Sequence, residues 1–219
     1  GAATARALAA EGAAVAVFDR DAKAAASVAT SIGGLSVACD VTDDRDCARL
    51  VETAVDRFGR LDILVNNAGV SDPVPAIDED IDQFRRVIAL DLTACFLLSQ
   101  LSARVMTTQD TGGSIINIAS VHGLVGSAPN NQPGSTAAKG GLINLTRELA
   151  LEWARLGIRV TAVAPGSLAT ELTGEMLAGD SGRAWVERNT PMRRAGRVEE
   201  LDGTMLLLAS NAGSYITGT

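Results

Sequence analysis

The sequence predicts an α/β fold, a doubly wound parallel sheet, and three observations carry that expectation. Short apolar runs rich in Val, Ile and Leu alternate with longer Ala-rich or amphipathic stretches, the rhythm of βαβ units. Most of these runs end in chemistry-bearing residues: Asp19, Asp40, Asn66-Asn67-Ala68-Gly69, Ser120 and Pro165-Gly166. The chain has 219 residues, 47% of them hydrophobic, which is enough to bury one continuous α/β core.

The elements follow in order. Residues 1–11 are Ala-rich and predict a helix that Gly12 stops. The run AAVAVF over 13–18 predicts a buried strand ending at Asp19. A second unit repeats the pattern, with a helix over 21–31, a Gly33-Gly34 turn and a strand over 35–39 before Asp40. Asp40-Val41-Thr42-Asp43 opens a third helix over 43–58, with Thr42 a candidate N-cap and Asp43 and Asp44 favourable in its first turn. The strand over 61–65 runs into Asn66-Asn67-Ala68-Gly69. A long helix over about 80–105 precedes a strand over 114–118, and a helix over 135–156 precedes a strand over 159–163. Residues 171–197 form the least regular stretch, interrupted by Gly174, Gly179, Gly182 and Pro191. Right-handed crossovers put helices on both faces of such a sheet, and its ligands bind outside the carboxyl ends of the strands. The polar clusters therefore converge on one crevice.

Composition excludes several function classes. A formal charge of -7 argues against a general nucleic-acid binder, which needs clustered Lys and Arg. Cys39, Cys47 and Cys95 form no CxxC pair and are expected as buried free thiols in a reducing compartment. His122 is the only histidine, so no multi-His metal set exists and no metal is expected. With no signal peptide, no polybasic tail and no apolar run of about 18 residues, a soluble cytoplasmic protein is the expectation.

The chain is organised around GSIINIASVHGL, a Gly/Pro-rich loop, and STAAKGGLINLTR. Ser135 and Lys139 lie four residues apart and share a face at the start of a helix. This segment resembles the catalytic segment of the short-chain dehydrogenase/reductase family, a Rossmann-type fold whose motif is a serine followed by Tyr-x-x-x-Lys. Ser120 and Lys139 match, and Ser135 stands at the tyrosine position. The resemblance implies that Ser120 bonds the substrate oxygen. It implies that Lys139 binds the nicotinamide ribose and lowers the pKa of the tyrosine. Asp91 stands where the family has an Asn that holds a relay water; an ionised Asp only accepts hydrogen bonds. His122 is open to two readings, a proton source or substrate contact, or a loop histidine without such a duty.

The same resemblance assigns the cofactor site. Gly1 matches the last glycine of a TGxxxGxG turn, which cradles pyrophosphate at a helix N-terminus. Asp19 would accept hydrogen bonds from the ribose of NAD and repel the extra phosphate of NADP, which Arg20 would attract; NAD is favoured. A helix-capping Asp19 is the plainer alternative. Asp40 and Val41 would meet adenine, Asn67, Ala68 and Gly69 would line the ribose, and Pro165, Gly166, Leu168 and Thr170 would hold the carboxamide. Residues 171–197 would form a substrate lid on a single cofactor-binding domain, 1–219. Both ends look cut: the first strand and its Gly-rich turn, and a last strand led into by 214–219, are expected outside the sequence. A homotetramer or homodimer is expected by analogy.

The implied activity is hydride transfer between NAD(P) and a small secondary alcohol or ketone. TPMRRAG and the GLVGSAPNNQPG loop hint at sugar or polyol substrates. An alkyl hydroxyl at position 135 is far less acidic than a phenol and shorter. Losing that acid–base help predicts turnover lowered by about 10²–10⁴-fold. A catalytically inactive, cofactor-binding homologue is the rival. A methyltransferase on a related sheet is disfavoured by Lys139 and PGxxxT.

Overall fold

The computed structural model describes residues 1–128 and 130–219, with side chains outside the description at 171, 172 and 175. Pro129 of the GLVGSAPNNQPG loop lies outside the described residues.

Helix α1 (Ala2–Ala10) leads to β1 (Ala16–Asp19), α2 (Ala22–Ile32), β2 (Leu35–Ala38) and α3 (Asp44–Phe58). Then come β3 (Ile63–Asn66), α4 (Ile81–Ile88), a π-helical turn (Ala89–Thr93), α5 (Ala94–Met106) and β4 (Gly113–Ile118). The chain continues through a 3-10 turn (Val121–Gly123), α6 (Pro133–Trp153) and β5 (Ile158–Val163) to α7 (Glu171–Ala178), α8 (Asp180–Asn189) and α9 (Asp202–Ala209). Local chemistry sets these boundaries. Asp21 caps α2 by accepting from Lys23 N and Ala24 N, and Gly33 ends it at φ 64°. Asp43 caps α3 by accepting from Arg45 N and Asp46 N. The expectation that Thr42 is that cap is corrected, because its amide and hydroxyl both bond back to Asp40 Oδ1.

All strand pairs are parallel: β1 with β2, and β3 with β4 with β5. Among the described residues no ladder joins β1 to β3. Packing bridges the two sheets instead, since Cys39, Leu50, Leu64, Ile115, Val160 and Trp153 belong to one buried cluster against which Phe18 packs. The first strand is shorter than expected: Val15 contributes only its carbonyl, to Leu35 N. At the far edge, Gly218 N donates to Val160 O and Ala162 N donates to Thr219 O, so the last residues run along β5.

Two further expectations are corrected. Residues 171–189 are mostly helical, not irregular. Thr170 and Thr173 cap α7 reciprocally, and Gly182 is needed inside α8 because a Cβ there would collide with Met176 O. The stretch Ile81–Met106 is long and apolar enough to cross a membrane, with a mean hydropathy of 1.4 in its most apolar window. Its inner face is buried through Val87, Asp91, Cys95, Leu98, Ser102 and Met106, as in a core helix. All three cysteines are free and buried.

Candidate active site

The carboxyl ends of β3, β4 and β5 lie level, with Asn66 opposite Asn117 and Ile118 opposite Val163. A buried polar lattice holds them there. Asn66 Nδ2 donates to Asn117 Oδ1 at 2.8 Å, Ser99 Oγ at 3.1 Å and Cys95 O at 3.3 Å. Asn117 Nδ2 donates to Thr146 Oγ1 at 2.9 Å, which ties the sheet to α6.

Above this lattice three sequence-predicted residues meet. Asp91, fully buried, sits in the π-helical turn, a feature that recurs at functional sites. Its Oδ1 accepts from Val70 N at 3.0 Å, and its Oδ2 lies 3.4 Å from Lys139 Nζ. That Oδ2 has no hydrogen-bond partner among the described residues. Burial raises the Asp91 pKa above the usual carboxylate range, against the opposing pull of Lys139 and the Val70 amide. Lys139 is 8% exposed and donates to Ile118 O at 3.0 Å. Gly69 closes the group: a Cβ there would sit 3.2 Å from Lys139 Nζ and 3.3 Å from Asp91 Oδ2.

Ser120 follows β4 and is anchored on both sides. Ala119 N donates to Val163 O and Val121 N donates to Pro165 O, which joins the Ser120 turn to the exit of β5. Ser120 Oγ accepts from His122 N at 3.2 Å, leaving its own proton to donate. Gly123 lets this turn press against α6, since a Cβ there would lie 2.7 Å from Lys139 O. Ser135, half-buried in the first turn of α6, makes no side-chain hydrogen bond among the described residues. Sequence reasoning missed Gln132 and Ser71. Gln132 Nε2 lies 3.0 Å from His122 Nδ1, and Gln132 Oε1 accepts from Ser71 Oγ. The available signal was Gln132's place just before the helix-starting Pro133.

The nucleotide end lies on the other sheet. Asp19, exposed at the end of β1, accepts from Asp21 N with one oxygen, and its other oxygen makes no hydrogen bond among the described residues. Asp21, not Asp19, caps the next helix. Asp40 is held below its usual range by hydrogen bonds from Thr42 and, less strongly, by Arg20. Val41 follows in the same turn, half-buried against the core. Gly1 lies against the NNAG loop, its backbone nitrogen donating to Asn67 Oδ1 at 2.9 Å. Ala68 follows, exposed, ahead of Gly69. Gly166 has open space where a Cβ would be. Leu168 O accepts from Thr173 Oγ1, and the Thr170 hydroxyl caps α7.

These residues fit a nicotinamide nucleotide. Lys139 spends one hydrogen bond on Ile118 O and keeps further protons to donate, Asp91 Oδ2 is an unpartnered acceptor, and Gly69 leaves room that a side chain would fill.

Comparison with known proteins decides the family. The family described as Enoyl-(Acyl carrier protein) reductase matches residues 1–219. A crystallised short-chain type dehydrogenase/reductase from Mycobacterium marinum superposes with a TM-score of 0.93 at 37% identity, over 100% of this chain and 87% of that one.

The chain belongs to the short-chain dehydrogenase/reductase family.

Other members extend the comparison. The cis-4-hydroxycyclohexanecarboxylate dehydrogenase of Sinomonas cyclohexanicum is 41% identical over 100% of this chain and 88% of its own length. A gluconate 5-dehydrogenase from Burkholderia cenocepacia J2315, crystallised with NADP and tartrate, gives a TM-score of 0.92 at 32% identity, over 100% of this chain and 87% of that one. As a family member the chain is an oxidoreductase of the NAD(P)-dependent kind, acting on small molecules.

Proposed function

We propose that this dehydrogenase oxidises a secondary alcohol on a hydroxylated acid, or reduces the matching ketone, in the crevice above Asp91 and Lys139. The observation that carries it is the buried Lys139 ammonium, held by Ile118 O at the end of β4, two residues before Ser120, and roofed by Gly69. The class of substrate follows from the relatives, a cis-4-hydroxycyclohexanecarboxylate dehydrogenase and a gluconate 5-dehydrogenase, whose substrates are a ring hydroxy acid and a sugar acid. When bound, the nicotinamide supplies the two-electron step by accepting or giving a hydride. The protein supplies the rest. Ser120 donates to the substrate oxygen. Lys139 binds ribose hydroxyls. Gly69 admits the nucleotide, and Pro165, Gly166, Leu168 and Thr170 orient the carboxamide. Asp19 favours NAD over NADP.

Ser135 limits the rate. Its hydroxyl neither reaches as far as a phenol nor shares its acidity, so turnover falls by about 10²–10⁴-fold against a tyrosine enzyme. Ser135→Tyr restores that factor; unchanged turnover at unchanged cofactor affinity rules the role out. A second reading, a cofactor-binding scaffold without turnover, is favoured by the Asp91 carboxylate set against Lys139. NADH binding with no turnover in either form would select it. Phe96, Leu151 and Leu156 remain exposed on and just after α5 and α6, which supports pairing of these helices between subunits.

A further inference from the structure

Three side chains from three segments form one hydrogen-bonded chain that the proposed function leaves without a task. His122 is the middle residue of the turn after Ser120, Gln132 is the residue before α6, and Ser71 lies in the loop after β3. Gln132 Nε2 is 3.0 Å from His122 Nδ1, and Ser71 Oγ donates to Gln132 Oε1. Gln132 is 7% exposed, so its amide is committed to this chain and not to solvent. The ring is thereby tied to the segments that carry Ser120, Ser135 and Gly69.

We propose that His122 exchanges the substrate-oxygen proton in place of the phenol that Ser135 lacks, with Gln132 and Ser71 as positioning residues. The inference rests on the dehydrogenase reading. In oxidation the C–H electron pair leaves with its hydrogen as hydride to the nicotinamide, and the O–H bond breaks. That proton passes through a water to His122 Nε2, the C–O bond becomes a carbonyl, and the imidazolium later returns the proton to solvent. Reduction runs the same transfers backwards.

The partners suit a group that changes protonation state. A glutamine amide offers a donor and an acceptor, and a half-turn of its last torsion exchanges them. With the oxygen turned to the ring, Nδ1–H donates to it, and Nε2 is free to take a proton or to give one up. With the nitrogen turned to the ring, the amide donates to Nδ1 and Nε2–H is the donor. The Ser71 hydroxyl follows either orientation, donating to the amide oxygen or accepting from its nitrogen. Every state of the ring therefore keeps its partners, whereas a merely structural pin needs only one.

Burial alone lowers the His122 pKa, and because Gln132 Nε2 faces Nδ1, the ring Nε2 takes up a proton only once the amide turns its oxygen to the ring. Charged groups on the surrounding segments include Lys139 on α6, Asp91 in the π-helical turn, Asp72 beside Ser71 and Glu79 beside Gly134, while the shift comes from burial.

The test compares the full chain with its His122→Asn, Ser135→Tyr and doubly substituted forms, using cis-4-hydroxycyclohexanecarboxylate and gluconate as probes. Expected is a loss of about 10²-fold on His122→Asn in the Ser135 background, together with the acidic limb of the pH–rate profile, and little loss in the Ser135→Tyr background. Equal losses in both backgrounds, or none, overturn the inference. A parent without turnover whose Ser135→Tyr form is active also overturns it and leaves the dehydrogenase reading standing. No turnover in any form overturns both. A second readout needs no substrate. His122 is the only histidine, so its ring ¹⁵N signals are unambiguous. One dominant tautomer with a midpoint below the ordinary histidine value is expected, relaxing toward the free-imidazole ratio in Gln132→Met. Free-imidazole behaviour in the parent refutes the positioning.

Discussion

Replacing Asp91 by Asn tests how this buried site is balanced. Asp91 and Lys139 are 3.4 Å apart, which at an effective dielectric of about 20 is an attraction of about 5 kcal/mol. Against it stands a desolvation cost of several kcal/mol for each ion. The carboxyl pKa lies above its usual value because burial outweighs the pull of Lys139 and the Val70 amide, so the fold holds the Asp91 proton more tightly than the unfolded chain does. Asparagine carries no charge to desolvate and keeps the acceptor for Val70 N. Asp91→Asn is therefore expected to match or exceed the parent's stability at pH 7, by up to about 2 kcal/mol. The pH dependence has a defined sign. A raised folded pKa means the folded state binds the proton more tightly, so the parent gains stability as pH falls through the folded pKa toward the unfolded value. The advantage of Asn should therefore shrink in that window. Asp91→Ala leaves Val70 N and Lys139 without their partner and should cost about 3–5 kcal/mol. Urea denaturation of the three forms from pH 7 down to pH 4 measures all of this. An Asp91→Asn form less stable by about 3 kcal/mol or more at pH 7 would show a net stabilising ion pair and refute the reasoning.

Further outcomes follow from the same geometry. Asn66→Ala removes three side-chain hydrogen bonds and should cost about 2–4 kcal/mol by denaturation, because buried partners are left unpaired. Gly69→Ala places a methyl between Lys139 and Asp91, so NADH affinity measured by fluorescence should fall about tenfold while folding survives, at a cost of about 1–3 kcal/mol. Asp19→Ala should narrow the preference for NAD over NADP in paired titrations; an unchanged ratio removes Asp19 from that role. Light scattering should report an oligomer that Leu151→Glu and Leu156→Glu dissociate; a monomeric parent contradicts helix pairing.

Much of this was legible because chain order, apolar runs and the residues ending them are local signals. The strands over 35–39, 61–65, 114–118 and 159–163 lie where the runs of Val, Ile and Leu put them, to within two residues at either end. Lys139 and Asp91, singled out separately from the sequence, lie 3.4 Å apart. What escaped depends on contacts distant in sequence. Residues 13–15 have the composition of a strand, but the ladder with β2 begins only at Ala16. Gly174 and Gly182 read as breaks, yet the packing of α8 on α7 needs Gly182 to be small. The helix over 80–105 gave no sign of its π-helical turn, whose wider backbone buries Asp91. The Ser71–Gln132–His122 chain joins residues up to 61 positions apart, which no local pattern encodes.

The central claim is that Lys139 seats a nicotinamide nucleotide at the end of β4, and titration of NADH into the parent and a Lys139→Met form tests it most directly. The account predicts saturable one-to-one binding to the parent, weakened at least about tenfold by losing the charged hydrogen bonds. Equal affinity in the two proteins, or no binding to the parent, would contradict it.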